Sequence, residues 1–103
     1  MNILFLGDIV GESGCISVKE NLPRIIQDKA IDFVVVNGEN AAAEGVGITE
    51  NIANELLNSG VDVITTGNHI WDQKETAEHI DKEKRLLRPY NLIAPSPLSL
   101  IHI

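Results

Sequence analysis

The sequence is short of cysteines, basic residues and long apolar runs, and each shortage excludes a class of protein. Its 103 residues include one cysteine, Cys15, so no intramolecular disulfide can form and we expect a cytoplasmic protein. No apolar stretch approaches the roughly 20 residues that cross a bilayer, and Asp8 interrupts the first apolar run too early for a signal peptide. The sequence therefore predicts one small domain with no membrane segment.

Basic residues are outnumbered, with 8 Lys and Arg against 15 Asp and Glu and a formal net charge of −7. A surface this acidic repels a phosphate backbone, which argues against sequence-independent nucleic-acid binding. A small phosphate-containing substrate remains compatible with this charge if a cationic group sits in the site. A bound metal ion would supply that positive charge.

Three short apolar runs predict strands, at residues 2–7, 31–36 and 61–66. The first two are nearly continuous rather than alternating, which is typical of strands that are covered on both faces. Each run is separated from the next by a segment with helical spacing of its apolar residues. This alternation predicts an α/β fold with a mostly parallel sheet and the order β-α-β-α-β-α.

The helices are predicted from apolar residues that recur every three to four positions. This spacing occurs at residues 15–29 and 50–58, and Thr49 is the predicted N-cap of the second segment. A third helix is predicted to begin at Asp72. The charged residues between positions 78 and 85 are interpreted as its solvated end.

Polar side chains follow each of the three predicted strands. They are Asp8 after the first, Glu39 and Asn40 after the second, and Asn68 and His69 after the third. In an open α/β sheet, ligands bind beyond the carboxyl ends of the strands, so these side chains should converge on one edge. Their oxygen and nitrogen donors suit Mn, Fe, Mg or Zn. A carboxylate can bridge two such ions about 3.5–4 Å apart, an arrangement that activates water for attack on phosphorus.

Each cluster taken alone has an ordinary structural explanation. Asp8 could serve a turn, Glu39 and Asn40 could cap a helix or turn, and Asn68 with His69 could form an Asx turn with an exposed imidazole. Turns alone explain poorly why all three successive strand ends carry such groups. The combined pattern therefore favours a metal site.

Other chemistries fit the sequence less well. The glycines within residues 7–14 miss the spacing of a dinucleotide-binding loop. Cys15 lacks the Arg six residues later that a cysteine phosphatase needs, since Asn21 stands there, so Cys15 is interpreted as a small packed residue. An aspartyl-phosphate mechanism on Asp8 remains an alternative, although Val10 stands where one such family has a second Asp.

Four motifs occur in order between residues 1 and 91. They are Gly-Asp8-Ile-Val-Gly, Asn-Gly-Glu39-Asn40-Ala, Gly-Asn68-His69-x-Trp-Asp72 and Arg85-Leu-Leu-Arg-Pro89. In this combination the chain resembles the bacterial branch of the calcineurin-like metallophosphoesterases named 2′,3′-cyclic-nucleotide 2′-phosphodiesterase. The resemblance implies that residues 1–91 form the N-terminal β-α-β-α-β-α part of a four-layer α-β-β-α sandwich. Residues 92–103 do not resemble the family, and we interpret them as an irregular, non-native tail.

The resemblance also implies roles for the polar residues at the strand ends. Asp8 would bind one of two divalent ions, Glu39 would bridge both, and Asn68 would bind the second. Asn40 would be a further ligand in this branch, which lacks the His that the wider superfamily has two residues after the first Asp. His69 would be catalytic, stabilising the transition state or protonating the leaving oxygen. The implied metals are iron or manganese.

The expected activity is that of a dinuclear metal-dependent phosphoric ester hydrolase. Its substrate would be a small phosphoester or cyclic nucleotide, attacked on phosphorus by a metal-bound hydroxide. The family's chain is longer, and its second half supplies further histidine ligands. We therefore hypothesise that this sequence is truncated and nearly inactive alone, with an exposed apolar half-sheet that would favour homo-oligomers.

The alternative is a non-catalytic α/β binding or interaction domain, in which the polar loops serve as turns or as a regulatory nucleotide site. Metal dependence would distinguish the two hypotheses. Substituting Asn68→Ala should abolish activity in the first case and merely loosen a loop in the second.

Overall fold

The described part of the chain forms an α/β sheet with two helices. The computed structural model describes residues 1–67 and 83–87. The elements in these ranges are β1 (Ile3–Leu6), α1 (Gly11–Asp28), β2 (Phe33–Asn37), α2 (Glu50–Asn58), β3 (Val63–Thr65) and β4 (Leu86–Leu87). All four strands are parallel, in the order β1-β2-β3-β4. The predicted α/β class is confirmed. Asn68, His69, the predicted third helix from Asp72 and the tail at 92–103 lie outside the described residues.

The two helices lie on the same face of the sheet. A strand order that matches the chain order, with right-handed crossovers, places successive helices on one side. Lys19 on α1 pairs with Glu55 on α2 at 2.9 Å between Nζ and Oε2. The side chains fully buried in the core include Val34, Val36, Ile64 and Leu86, contributed by the three strands β2, β3 and β4.

The first strand exposes part of its apolar surface. Ile3 and Phe5 alternate with the half-buried Leu4 and Leu6, and they are 61% and 62% exposed. Leu4 and Leu6 pack against the core. Among the described residues, β1 is therefore covered on one face, whereas its continuous apolar run predicts cover on both.

The helix α2 begins and ends where the sequence predicts, whereas α1 begins earlier. Thr49 is the N-cap of α2, and its Oγ1 accepts a hydrogen bond from the backbone N–H of Ile52 at 3.3 Å. The helix α1 begins at Gly11 rather than at residue 15. Its N-cap, Val10, has no side chain that could cap the helix, and Gly11 has a φ of +66°. The start of α1 thus lacks the capping residue by which such boundaries are predicted.

The segment that ends the described residues is a turn and a strand, not a solvated helix end. Lys84 and Arg85 lie in the turn, and the backbone N–H of Ile64 donates to the carbonyl oxygen of Arg85 at 2.8 Å. Leu86 and Leu87, which form β4, are both buried. The interpretation of residues 83–85 as part of a helix is wrong. A strand of two leucines is too short to show the alternation of apolar and polar residues that identifies a strand. The charged residues before it therefore determined the interpretation of this segment.

Cys15 is a packed core residue, as the sequence predicts. The side chain is 4% exposed, and its Sγ donates to the carbonyl oxygen of Ala41 at 3.3 Å. Burial raises the pKa of the Cys15 thiol, and the nearby charge of Lys19 only partly opposes this effect. A thiol with a raised pKa is a poor nucleophile at neutral pH, which argues against cysteine-based catalysis.

The helices of the described ranges do not reach across a membrane, because none of them is both long and apolar enough.

Substituting Leu86→Ala should lower the free energy of unfolding by about 2–5 kcal/mol, because it removes a fully buried side chain from the core. The matched control is Lys84→Ala, two residues earlier and exposed, which should change it by no more than about 0.5 kcal/mol. Denaturant-induced unfolding measures both values. Equal, small losses for the two variants would show that this segment is solvated after all.

Cys15 should react with a thiol reagent at pH 8 at least about tenfold more slowly in the folded chain than in the same chain unfolded by denaturant. Its raised pKa leaves less thiolate at that pH than an unfolded thiol has, and its burial limits access. Cys15 is the one cysteine of the 103 residues, so absorbance of the released reagent reports on it alone. Equal rates in the two states would contradict this assignment.

Candidate metal centre

Three loops leave the carboxyl ends of β1, β2 and β3 at one edge of the sheet. Because the strands are parallel and adjacent in the order β1-β2-β3, their carboxyl ends lie side by side. Asp8, Glu39 and Gly67 each stand two residues after the last residue of their strand. The predicted convergence of these loops on one edge is confirmed for the described residues.

The first two loops are hydrogen-bonded to each other through their backbones. The N–H of Ile9 donates to the carbonyl oxygen of Asn37 at 3.0 Å, and the N–H of Gly11 donates to that of Asn40 at 2.9 Å. Val10 and Asn40 form an isolated parallel bridge between these bonds. The parallel pairing of β1 and β2 thus continues past both strand ends and holds the Asp8 loop beside the Glu39 loop.

The third loop is joined to the second by a close backbone contact. The N–H of Gly38 donates to the carbonyl oxygen of Thr65 at 2.9 Å. A Cβ at Gly38 would lie 2.9 Å from Cγ2 of Ile64, so only glycine lets the backbone pass this close to β3. The glycine before Glu39 is therefore needed for packing.

Asp8 and Asn40 contact each other directly. The amide Nδ2 of Asn40 donates to Oδ2 of Asp8 at 3.1 Å. The other amide atom, Oδ1 of Asn40, is buried and has no hydrogen-bond partner among the described residues. An unsatisfied buried acceptor costs about 1–3 kcal/mol, and a cation beside it would remove that cost.

Glu39 is fixed at its backbone by a residue that the sequence analysis missed. The N–H of Glu39 donates to Oδ1 of Asn37 at 3.0 Å, which is an Asx turn. Asn37, rather than Glu39 or Asn40, therefore serves the turn. The signal was present in the sequence, since an Asn two residues before the donor and followed by Gly is typical of such a turn.

The carboxylate of Glu39 lies against the backbone of Gly67. A Cβ at Gly67 would fall 2.2 Å from Oε1 of Glu39, so the side chain occupies the space that any larger residue at position 67 would need. Gly67 immediately precedes Asn68 in the chain. The contact brings the Glu39 carboxylate to the start of the segment that carries Asn68 and His69.

The donors described at this edge fit a hard divalent ion. Asp8 and Glu39 offer carboxylate oxygens and Asn40 offers an amide oxygen, which are ligand types that Mn²⁺, Mg²⁺ and Fe²⁺ accept. Residues 1–67 and 83–87 contain no group of three or more His, Cys, Asp or Glu side chains that could hold a metal ion by themselves.

A cavity of about 440 Å³ opens elsewhere, between α1 and α2. Cys15 and the ion pair of Lys19 with Glu55 are among its lining residues. Asp8, Glu39 and Asn40 do not line this cavity, although Glu12 and Ala43, from the segments after β1 and β2, do.

The chain is similar to known phosphoesterases over most of its length. It is 46% identical over 97 residues to the 2′,3′-cyclic-nucleotide 2′-phosphodiesterase of Bacillus subtilis (strain 168), a match that covers 94% of this chain and 36% of that protein. Two crystal structures share its fold. One is a hypothetical protein from Thermus thermophilus, with a TM-score of 0.85 and 37% identity over 95% of this chain and 37% of that one. The other is a novel phosphatase from Mycoplasma pneumoniae, with a TM-score of 0.81 and 39% identity over 88% of this chain and 32% of that one.

These matches agree with the resemblance read from the motifs. The chain spans about a third of the length of each of these relatives. Residues 4–98, nearly the whole sequence, match the family described as YmdB-like protein. The chain therefore belongs to the YmdB-like protein family.

Proposed function

We propose that the protein carrying this chain is a phosphodiesterase that depends on two divalent metal ions, iron or manganese. The observation that supports this most directly is the pair of Asp8 and Asn40. Their hydrogen bond uses the amide donor and leaves the buried Oδ1 of Asn40 without a partner among the described residues, at an edge rich in oxygen donors. A turn-forming Asn uses its Oδ1 to accept a backbone hydrogen bond, so a buried Oδ1 without such a bond favours a ligand role.

Each predicted metal ligand has a distinct role in this proposal. Asp8 and Asn40 would hold one ion through a carboxylate and an amide oxygen, with the hydrogen bond between them fixing the orientation of both side chains. Glu39 would bridge the two ions, and Asn68 would hold the second. When bound, the two ions would activate a water molecule and neutralise charge on the phosphoryl oxygens. They would also make an edge of this acidic chain attractive to an anion.

The substrate we propose is a small phosphodiester, and specifically a 2′,3′-cyclic nucleotide. The relative from Bacillus subtilis carries this substrate in its name. His69, two residues after Gly67 in the chain, would stabilise the transition state or protonate the leaving oxygen. A proton supplied there would let the ester oxygen leave as a hydroxyl rather than as an alkoxide.

In the full-length protein, hydrolysis of a 2′,3′-cyclic nucleotide should require Mn²⁺ or Fe²⁺, and Glu39→Gln should lower kcat/KM at least about a hundredfold. The amide keeps the size of the side chain but loses the charge that a bridging ligand needs. The matched control is Glu44→Gln in the same loop, where the side chain is exposed and activity should stay within about twofold.

The assay also separates this proposal from a binding domain. Chelation should abolish hydrolysis and added ion should restore it. Hydrolysis that survives chelation, or Glu39→Gln with full activity, would refute the metal mechanism. Nucleotide binding without turnover in all variants would instead favour a non-catalytic domain.

The 103-residue chain by itself should hydrolyse the same substrate at a rate close to the metal-free background. The described loops at the carboxyl edge offer two carboxylates and one amide, from Asp8, Glu39 and Asn40, and a loosely held ion about 1 Å out of place costs roughly a hundredfold in rate. A chain of the relatives' full length is the comparison, with circular dichroism confirming that both are folded. Robust metal-dependent turnover by the 103 residues alone would contradict this expectation.

A further inference from the structure

Gly67 is a glycine for a steric reason and not for a conformational one. The described glycines with positive φ are Gly11, Gly45, Gly47 and Gly60, and Gly67 is not among them. Its φ therefore lies outside the left-handed region that favours glycine. The three atoms nearest to a Cβ built at Gly67 all belong to one carboxylate, with Oε1, Cδ and Oε2 of Glu39 at 2.2, 2.4 and 2.6 Å.

The backbone of Glu39 cannot withdraw to make room for a larger residue at position 67. Its N–H is bonded to Oδ1 of Asn37 at 3.0 Å. The preceding residue, Gly38, is bonded to Thr65 and packs closely against Ile64. The clashing atoms lie at the far end of the flexible Glu39 side chain, which relieves the clash by rotating its carboxylate away from residue 67.

A methyl group at position 67 would therefore have little effect on the fold and a large effect on the carboxylate. The clashing atoms are the far end of a flexible side chain, and rotation about its bonds relieves the clash without disturbing the sheet. The rotated carboxylate would no longer lie beside the start of the Asn68 segment. Residues 39 and 67 thus form a pair in which the long side chain of one requires the absence of a side chain at the other.

We propose that Gly67 is a positioning residue, whose bare Cα lets the Glu39 carboxylate adopt the place from which it binds metal. This inference rests on the proposed metal-dependent function. It assigns Gly67 no contact with substrate, and its action is entirely through Glu39. Shortening residue 39 should relax the requirement for glycine, because Asp withdraws its carboxylate by one carbon–carbon bond, about 1.5 Å.

The test measures Mn²⁺ affinity by calorimetry on the full-length protein, together with unfolding in the presence of a chelator. Gly67→Ala should weaken Mn²⁺ binding about tenfold or more, which is the usual effect of losing a group that orients a ligand. Its metal-free unfolding midpoint should match that of the wild type. The matched control is Gly7→Ala on the same edge, where a Cβ meets its nearest neighbour, Phe5, at 3.8 Å, and where both readouts should stay unchanged.

A double-mutant cycle tests the pairing itself. In a Glu39→Asp background, adding Gly67→Ala should weaken Mn²⁺ binding by no more than about threefold, less than it does beside Glu39. A loss of affinity as large as in the wild-type background would overturn the pairing. Unaltered affinity of Gly67→Ala, or a loss that follows a lower metal-free midpoint, would overturn the positioning role.

The outcomes also separate this inference from the function on which it rests. If the wild type binds Mn²⁺ and Gly67→Ala binds it equally well, only the role of Gly67 fails. If the wild type binds neither Mn²⁺ nor Fe²⁺, the proposed function fails, and the role of Gly67 fails with it, because that role is to place a metal ligand.

Discussion

The candidate site depends on two backbone hydrogen bonds made just beyond the sheet. The carbonyl of Asn37 accepts from Ile9, and the N–H of Gly38 donates to Thr65. Two adjacent residues at the end of β2 thereby fasten the loops on either side of them. These bonds transfer the register of the parallel strands to the loops, so that side chains far apart in sequence arrive at one place. Without them, Asp8 and Glu39 would extend from independent, mobile loops.

At the carboxyl edge of the sheet, hydrogen bonds hold the backbone of the loops, whereas one buried side-chain oxygen has no partner among the described residues. The Asp8–Asn40 hydrogen bond orients these two side chains, and the Asx turn fixes the backbone, but not the carboxylate, of Glu39. Such preorganisation lowers the cost of ordering the site on binding. The buried Oδ1 of Asn40, in contrast, has no hydrogen-bond partner among the described residues in the folded state. Buried polar atoms without a partner are rare in folded proteins, and the proposed ligand role of Asn40 would account for this one.

The sequence predicted the central elements of the fold, because their signals were local. β2 and α2 have runs or periods that identify them, and α2 also has the cap at Thr49. The early start of α1 and the two-residue β4 carried no such signal. Asp8 and Glu39 could be chosen because chemistry and position after a strand coincide. The contact of Gly67 with Glu39 could not, because it depends on how closely two loops approach after the sheet has formed.

The exposed side of β1 has a consequence for the protein during its synthesis on the ribosome. Ile3 and Phe5 leave the ribosome before the elements described after them in the chain, and those elements leave both largely uncovered. In a protein of the relatives' length, synthesis of the two thirds that this chain does not span takes on the order of ten seconds. During that interval the nascent sheet would present an apolar surface and an unpaired strand edge, which are the features that chaperones recognise and that drive aggregation. Slower translation of the later segments would lengthen this exposure.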